Sequence, residues 1–508
     1  MDEIKLVVKT IKDKSPGPDG ITAPLLKHLP DNYFNQLKNI YDSIVASQYW
    51  SQSSKTSNTK FILKPLKNPS DPASYRPIAL INIITKILEK ILGERLMYYL
   101  EYNNFFREEQ FGFRKNRSTQ QELHIIKQQL DNNHNENKIS LLITRDISKA
   151  FDTVWHRGLL YKFKFHAKLD NKTIALFNNY LTNRIIIPHF NKQIGSYIYP
   201  TAGVPQGSCL GPYFYLVHNN DIPSCIYNDN ISAQFADDFI QIIRNKTTAR
   251  SHESLLIRAQ KEIKAIYNWE CNWRVKSNPQ KSQALPLGCF NETLEQLGGL
   301  VVNNQTIQLV STIKILGFTF TKRLTTSKHA QISSARGFNE LNKLVKFKEA
   351  PSKIKKQLYQ SLVLPIISFP SIMYKDMNKI SHHKLQVIQN KALRFINNSN
   401  LLDKIPSKTL HETHKLLPIN LYFDKLQKKC FYKMIDLYLT SNEEPSYLDP
   451  FYQFSEFSLD NPPIFNKKTS LLQKIYNSAR YDEDHLPLLK TIPKDPLNWV
   501  TPPPVFTI

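Results

Sequence analysis

The sequence predicts an α+β fold, because apolar residues follow two different periods along its 508 residues. Residues 139–144 and 231–243 are largely apolar and rich in β-branched side chains, which is typical of buried strands. In 84–96 and 251–269 the apolar residues instead recur three and four positions apart, which predicts amphipathic helices. The chain thus combines buried strands, two of them joined as a hairpin, with amphipathic helices, as α+β proteins do.

Two adjacent carboxylates interrupt the second apolar stretch. It reads Ile-Ser-Ala-Gln-Phe-Ala-Asp-Asp-Phe-Ile-Gln-Ile-Ile, so Asp237 and Asp238 would lie at the turn between two buried strands. Two like charges at the end of a buried hairpin are unfavourable unless cations lie beside them. An Asp-Asp turn is more often simply solvated, so the pair alone leaves both interpretations open.

A third carboxylate ends the first apolar stretch. Residues 139–144 lead into Arg145 and Asp146, and 148–155 then predicts a helix capped by Ser148. A carboxylate between a core strand and a helix points out of the end of the sheet, where catalytic groups tend to lie. Asp146 is therefore expected to approach the hairpin acids from a neighbouring strand.

Three such carboxylates indicate a chemistry. Their hard oxygen atoms suit Mg²⁺, which takes its remaining contacts from water and phosphate. Two ions about 3.5–4 Å apart stabilise the attacking and leaving oxygens of an in-line phosphoryl displacement. Between the acidic sites, residues 201–212 hold three glycines and two prolines, so the backbone of this loop can approach a ligand closely. A loop of this composition is usually a plain turn, but its position favours nucleotidyl transfer.

These segments, taken in order, resemble consecutive motifs of a reverse transcriptase. More narrowly, they resemble the polymerase of non-LTR (LINE-type) retrotransposons, close to the insect jockey-like elements. The match covers roughly residues 1–400 in the right order. Its segments are 14–21 (Lys-Ser-Pro-Gly-Pro-Asp-Gly-Ile), 75–80 (Tyr-Arg-Pro-Ile-Ala-Leu), 110–119, 142–152, 203–212, 235–238 (Phe-Ala-Asp-Asp), 278–282, 315–318 and 385–394.

The resemblance implies a right-hand polymerase architecture. Fingers would occupy 1–140, a palm with an antiparallel sheet 141–321, and a helical thumb 322–435. The remaining C-terminal extension, 436–508, is rich in Pro, Tyr and Asn, a composition compatible with partial disorder.

The resemblance also implies roles for individual residues. Phe151 would crowd the sugar 2′ position, and Lys281 would protonate the leaving pyrophosphate. Without the resemblance, Phe151 would be a core aromatic and Lys281 a surface lysine. The catalytic residues would be Asp146, Asp237, Asp238 and Lys281. Two Mg²⁺ (or Mn²⁺) ions would be held by Asp146, Asp237, Asp238 and the Ile147 carbonyl. The dNTP would be bound by Lys64, Arg76, Ala150, Phe151, Gln206 and Gly207.

Two residues close to the catalytic acids depart from the pattern of the group, and one of them is Phe235, which replaces the usual tyrosine before Ala-Asp-Asp. Arg145 stands where the group usually has an apolar residue before the first aspartate. We expect it either to perturb the strand edge or to meet a phosphate.

The predicted function is RNA-directed DNA polymerisation, in which a primer 3′-OH attacks the α-phosphate of a dNTP. The partners would be an RNA template, a DNA primer or target and dNTPs. Met1 lies just before the 14–21 signature, so we expect no endonuclease in this chain and a separate source of the nick. The alternative is a decayed or domesticated RNA-binding protein that keeps the fold without turnover, and the sequence leaves the oligomeric state open.

Composition agrees with a nucleic-acid partner. A formal net charge of +24 is expected of a protein that binds nucleic acid, although a merely basic surface is the plain alternative. The five cysteines are scattered without Cys-x-x-Cys spacing, which indicates neither a zinc site nor a disulfide framework. No stretch is long enough for a membrane span. We expect an intracellular protein, nuclear by resemblance, with a cytoplasmic ribonucleoprotein stage.

Overall fold

The computed structural model describes residues 1–440, apart from 66, 228, 248–250, 289–290, 376 and 401. The predicted α+β class is confirmed, since helices and three sheets alternate along these residues. From position 441 onward, the predicted C-terminal extension lies outside the described residues.

The strands and helices are numbered in chain order. The strands are β1 Thr56–Leu63, β2 Tyr75–Ile81, β3 Lys138–Asp146, β4 Ile185–Phe190, β5 Gln193–Ile194, β6 Ile231–Phe235, β7 Asp238–Lys246, β8 Gln283–Leu287, β9 Leu300–Val302, β10 Gln305–Leu309, β11 Thr312–Ile315 and β12 Phe318–Thr321. The helices are α1 Asp2–Thr10, α2 Ala23–Lys27, α3 Asp31–Ser47, α4 Gln52–Lys55, α5 Ile83–Tyr102, α6 Thr119–Asn135, α7 His156–Tyr161, α8 Asn171–Leu181, α9 Gly211–Asn219, α10 Ser251–Trp273, α11 Asn291–Gln296, α12 Ser327–Leu344, α13 Ser352–Leu358, α14 Leu364–Ser368, α15 Lys379–Asn397, α16 Ser407–His414 and α17 Ile419–Thr440.

The largest sheet has six strands in the order β6-β7-β3-β8-β10-β9, with β3 pairing antiparallel to both β7 and β8. Successive side chains of a strand point to opposite faces. Leu141 and Ile143 accordingly pack with α10 residues such as Ile263. Leu142 packs on the other face with Leu123 and other residues of α6. Burial on both faces explains why β3 is a continuous apolar run in the sequence.

A second sheet has the order β2-β1-β4-β5. Its strand β1 pairs antiparallel with β2 and parallel with β4. Because β4 follows β3 in sequence, the chain enters the large sheet before it completes the second one. Helices α1, α3 and α5 pack together in the largest hydrophobic core, through residues such as Val7, Phe34 and Leu92. The predicted helix 84–96 is confirmed within α5, and 251–269 within α10.

Beyond the β11–β12 hairpin, α12 to α17 surround a separate core that includes Tyr359, Ile367 and Leu393. Within the described residues, no helix combines the length and apolar character that crossing a membrane requires.

The helix predicted for 148–155 is wrong. The chain forms turns there, and the helix begins only at His156. Lys149 adopts a left-handed φ of 50°, which a right-handed helix does not allow. The backbone bonds instead to the 201–212 loop, because Val204 N donates to Phe151 O at 2.7 Å and Gly203 N donates to Val154 O at 2.8 Å. These long-range bonds replace the local helical ones.

Candidate active site

Three carboxylates meet at one end of the six-stranded sheet. Asp146, the last residue of β3, pairs in register with Asp238, the first residue of β7. Asp238 also pairs with Phe235 of β6, so Ala236 and Asp237 form a two-residue hairpin turn. The structure therefore brings the backbones of all three acids together, although Asp237 and Asp238 lie 91 and 92 positions after Asp146 in the sequence.

The acids influence one another electrostatically. Both hairpin acids reach solvent through the cleft, but the protein around them removes enough water to disfavour their charged forms. Burial, followed by the charges of Asp237 and Asp146, raises the pKa of Asp238 to about 6. Burial and the Asp146 charge also raise the pKa of Asp237, while the Arg76 guanidinium acts in the opposite direction. The site is thus short of positive charge.

The side chains do not form a ready-made metal site. Among the described residues, no group of three or more His, Cys, Asp or Glu side chains is arranged to hold a metal ion. The Asp146 carboxylate instead lies 3.2 Å from the ammonium group of Lys281, which comes from the loop before β8. This contact brings Lys281 to the end of the sheet that carries the three acids.

The backbone beyond Asp146 is fixed by the segment that carries Lys281. Asn278 N donates to Asp146 O and Ser148 N donates to Lys276 O, each at 2.8 Å. These two bonds lie on either side of the β-bridge between Ile147 and Ser277, and neither of them involves the Ile147 carbonyl. The resemblance expects the Ile147 carbonyl to be a metal ligand, and these bonds fix its position directly after β3.

Ala150 and Phe151 lie in the turns that follow. Ala150 is buried, and Phe151 is half-buried. The Phe151 ring stacks on Tyr215 of α9, with 5.1 Å between ring centroids and 22° between planes, and meets Phe113 edge-on at 6.3 Å. Phe151 is thus held between two aromatic rings, and its exposed part is fixed in position.

The 201–212 loop joins this region to the β1–β2 sheet. Gln206 Nε2 donates to the Asp152 carboxylate at 3.1 Å, and Gln206 O accepts from Ala79 N at 2.7 Å. Gly207 has a φ of 118°, and a Cβ at this position would lie 2.6 Å from the Ala79 carbonyl oxygen. The close approach that the glycine allows in this structure is to the β2 backbone.

Two cations face the acids from the β1–β2 hairpin. Arg76 pairs in register with Ile62 and is exposed, and its charge lowers the pKa of Asp237. Burial raises the pKa of Asp152, and the charge of Lys64, whose ammonium group donates to Ala73 O at 2.8 Å, acts in the opposite direction. Both predicted triphosphate ligands therefore lie within electrostatic range of the acidic end of the sheet.

Arg145 does neither of the things expected from its sequence position. It continues the regular β3–β7 register opposite Phe239, and its side chain is buried. Its guanidinium group donates to Glu270 at 2.6 Å and to Ser277 Oγ at 3.1 Å. It is consequently paired inside the protein and is turned away from any phosphate in the cleft.

Sequence reasoning gave no role to several residues that shape the site. Tyr215 stacks on Phe151, and Gln110 and Gln234 bond to the Asp237 turn. For Gln110 the sequence offered one signal, because this residue begins 110–119, a segment on which the resemblance to reverse transcriptases rests. Tyr215 has none, since an aromatic on an apolar helix is ordinarily a core residue.

Comparison with known proteins identifies the family of the chain. Residues 64–320 match the family model described as reverse transcriptase (RNA-dependent DNA polymerase). The chain is 28% identical over 431 residues to a probable RNA-directed DNA polymerase from transposon X-element of Drosophila melanogaster, covering 84% of this chain and 46% of that protein. It is also 28% identical over 417 residues to the RNA-directed DNA polymerase from mobile element jockey of the same species, covering 78% and 43%.

The chain spans about half the length of the curated relatives it matches. Among solved structures, an apo telomerase from Candida tropicalis, truncated from its C-terminal domain, matches with a TM-score of 0.38 and 13% identity, over 58% of this chain and 59% of that one. The resemblance to jockey-like polymerases and the right-hand fold class are confirmed by the family match and the curated relatives. The chain belongs to the reverse transcriptase (RNA-dependent DNA polymerase) family.

Proposed function

We propose that this chain is the RNA-directed DNA polymerase of a non-LTR retrotransposon, which extends a primer 3′-OH with dNTPs on an RNA template. The pairing of Asp146 with Asp238, beside a turn that carries Asp237, is the observation that supports the proposal most. Burial in the first place, and the charges of the neighbouring carboxylates in the second, raise the pKa of Asp237 and Asp238 and so disfavour their charged forms. A cationic ligand would relieve this repulsion.

The donor set fits magnesium. Carboxylate and carbonyl oxygens are the ligands that Mg²⁺ and Mn²⁺ prefer. Asp146, Asp237 and the Ile147 carbonyl would hold two ions, with Asp238 completing the acidic cluster. When bound, these ions supply stabilisation of the attacking 3′ oxygen and of the leaving pyrophosphate. Lys281, whose ammonium group lies 3.2 Å from the Asp146 carboxylate, would give a proton to the departing pyrophosphate.

The remaining residues would bind and select the nucleotide. Arg76 and Lys64 would contact the triphosphate, because both lie on the β1–β2 hairpin within electrostatic range of the site, Arg76 of Asp237 and Lys64 of Asp152. Gln206 and Ala150 would line the base and sugar of the nucleotide. Gly207, which has no side chain, would let the backbone come close to the nucleotide. Phe151 would bar a 2′-hydroxyl, and its stacking on Tyr215 supports a fixed steric wall.

A primer-extension assay tests this proposal. The chain should incorporate dNTPs on a primed RNA template with Mg²⁺, and Asp237→Ala should lower the rate at least ~1,000-fold, because it removes a group acting directly in the reaction. Asp229→Ala, which removes an acid at the other end of the hairpin, should leave the rate within about threefold. Equal rates for the protein and its Asp237→Ala variant would refute the site.

The same assay tests Phe151. A wall that excludes the 2′-hydroxyl should weaken when the ring is replaced by a smaller side chain, so Phe151→Val should raise ribonucleotide use about 10-fold or more relative to deoxynucleotides. If Phe151 is only a core aromatic, the variant loses stability and its ratio of ribonucleotide to deoxynucleotide use stays the same.

We place the protein on RNA and on nicked DNA, with the nick supplied by an endonuclease activity outside the residues described here. Nuclear action after a cytoplasmic ribonucleoprotein stage belongs to the same proposal. The non-catalytic RNA-binding alternative is not favoured, because Asp146, Asp237 and Asp238 are all retained.

A further inference from the structure

We propose that Gln110 and Gln234 are positioning residues that clamp the Ala236–Asp237 turn and thereby aim the catalytic carboxylates. This inference rests on the proposed polymerase function. The two glutamines are fully buried and approach the turn from different elements: Gln234 lies on β6, whereas Gln110 lies in the loop before α6.

The turn needs such support. Ala236 has a φ of 58°, a left-handed conformation that residues with a Cβ rarely adopt. Asp237 and Asp238 follow immediately, so any relaxation of Ala236 would redirect both carboxylates.

Both backbone polar groups of Ala236 are held by the glutamines. Ala236 N donates to Gln110 Oε1 at 3.1 Å, and Gln234 Nε2 donates to Ala236 O at 3.0 Å. Gln110 Oε1 also accepts from Gly112 N at 2.8 Å. Since two N–H groups converge on this one atom, only the amide oxygen of Gln110 can face the turn.

The loop that carries Gln110 is built onto the edge of β6. Phe111 N donates to Gln234 O at 2.7 Å, and Gln234 N donates to Glu109 O at 2.8 Å. A Cβ on Gly112 would lie 2.3 Å from Ala236 N, so only glycine permits this approach. Residues 109–112 therefore act as a short extra strand whose position against the turn is fixed by its own backbone.

Both amides are bonded on the side that faces the turn. Gln110 Oε1 accepts from Ala236 N and Gly112 N, and Gln234 Nε2 donates to Ala236 O. Within the described part of the chain, Gln110 Nε2 and Gln234 Oε1 have no hydrogen-bond partner, which is also true of Gln241 Oε1 on β7. The contacts with Ala236 and Gly112, rather than the unpaired atoms, therefore distinguish these two side chains from other buried glutamines.

The test compares Gln110→Met and Gln234→Met with Gln241→Met. Gln241 is equally buried and lies on β7 of the same hairpin, but it donates to Glu262 and does not contact the turn. We expect hydrogen–deuterium exchange at residues 235–239 to become at least ~10-fold faster in the first two variants and to stay unchanged in the control. The Mg²⁺ concentration that gives half of the metal-induced rise in melting temperature should increase severalfold in the first two variants only.

Kinetics separate positioning from general damage. Gln110→Met and Gln234→Met should lower kcat about 10-fold or more with little change in the KM for dNTP, whereas Gln241→Met should keep its kcat despite a similar loss of melting temperature. Gln110→Glu retains the accepting oxygen and should recover part of the kcat. Unchanged exchange at the turn, or losses of kcat that follow melting temperature in all three variants, would overturn the proposal. If the parent chain has no polymerase activity, the proposed function fails, and the clamp stands or falls on exchange and Mg²⁺ response.

Discussion

Arg145 and Asp146 are consecutive residues of β3, yet their charges are treated in opposite ways. Arg145 points into the protein, where its Nη2 donates to Glu270 and to Ser277. Asp146 points into the cleft, where two further acids raise the local negative charge. On the inner side the charge of Arg145 is paired with that of Glu270, whereas on the other side the three carboxylates leave an excess of negative charge. A difference of this kind within two residues indicates that the cleft charge is completed by something that binds there.

The inner pair offers the largest expected effect on stability. Glu270→Ala leaves the buried Arg145 without its partner, and removing one member of a buried ion pair typically destabilises a protein by about 3–5 kcal/mol. We expect a loss of about 3 kcal/mol, measured as a lower denaturation midpoint. The double variant Arg145→Met/Glu270→Met should regain most of it, since no charge is then buried alone. A loss below about 1 kcal/mol would show that solvent reaches Arg145 and that the two sides of β3 do not differ as described.

The cation that faces the cleft acids should affect substrate binding instead. Arg76→Ala is expected to raise the KM for dNTP about 10-fold or more while leaving the affinity for primed template nearly unchanged, because a charge-assisted contact to phosphate is lost. Since Arg76 lowers the pKa of Asp237, its removal should also move the acid limb of the pH profile of kcat/KM to higher pH.

Lys60 provides the control for this prediction. It is an exposed cation on the same face of the β1–β2 hairpin, opposite Ile78 in the register. Lys60→Ala should leave the KM for dNTP within about twofold. If Arg76→Ala instead weakens template binding and spares the KM, Arg76 belongs to the nucleic-acid path.

Local sequence patterns predicted the strands on which both sides of this comparison lie. The strand ending at Asp146 and the hairpin around Asp237 follow from apolar runs that end in carboxylates, and both were confirmed as β3 and β6–β7. The helix expected at 148–155 failed because bonds from Gly203 and Val204, about fifty residues away, decide that backbone. Arg145 was misjudged for the same reason, as its partner Glu270 lies 125 positions further along the chain. Pairings between distant residues leave no periodic signal.

The smallest effect, and the one of opposite sign, is expected from Asp238→Asn. An acid whose pKa is raised on folding, here from 3.8 to about 6, opposes folding at pH values above 6 and ceases to do so as pH falls toward 4. Because solvent screens much of this repulsion at an exposed carboxylate, we expect the variant to be more stable than the parent by about 1 kcal/mol at pH 7.5 without metal. The two melting temperatures should converge between pH 6 and 4, and added Mg²⁺ should favour the parent.

Asp229→Asn supplies the contrast, because Arg258 holds the pKa of Asp229 below its usual value and this variant should therefore be less stable than the parent at neutral pH. An Asp238→Asn protein that is less stable than the parent at pH 7.5 would mean that the cleft acids are already compensated in the free protein. The contrast between the two faces of β3 would then be lost, and with it the argument that the site awaits a cation.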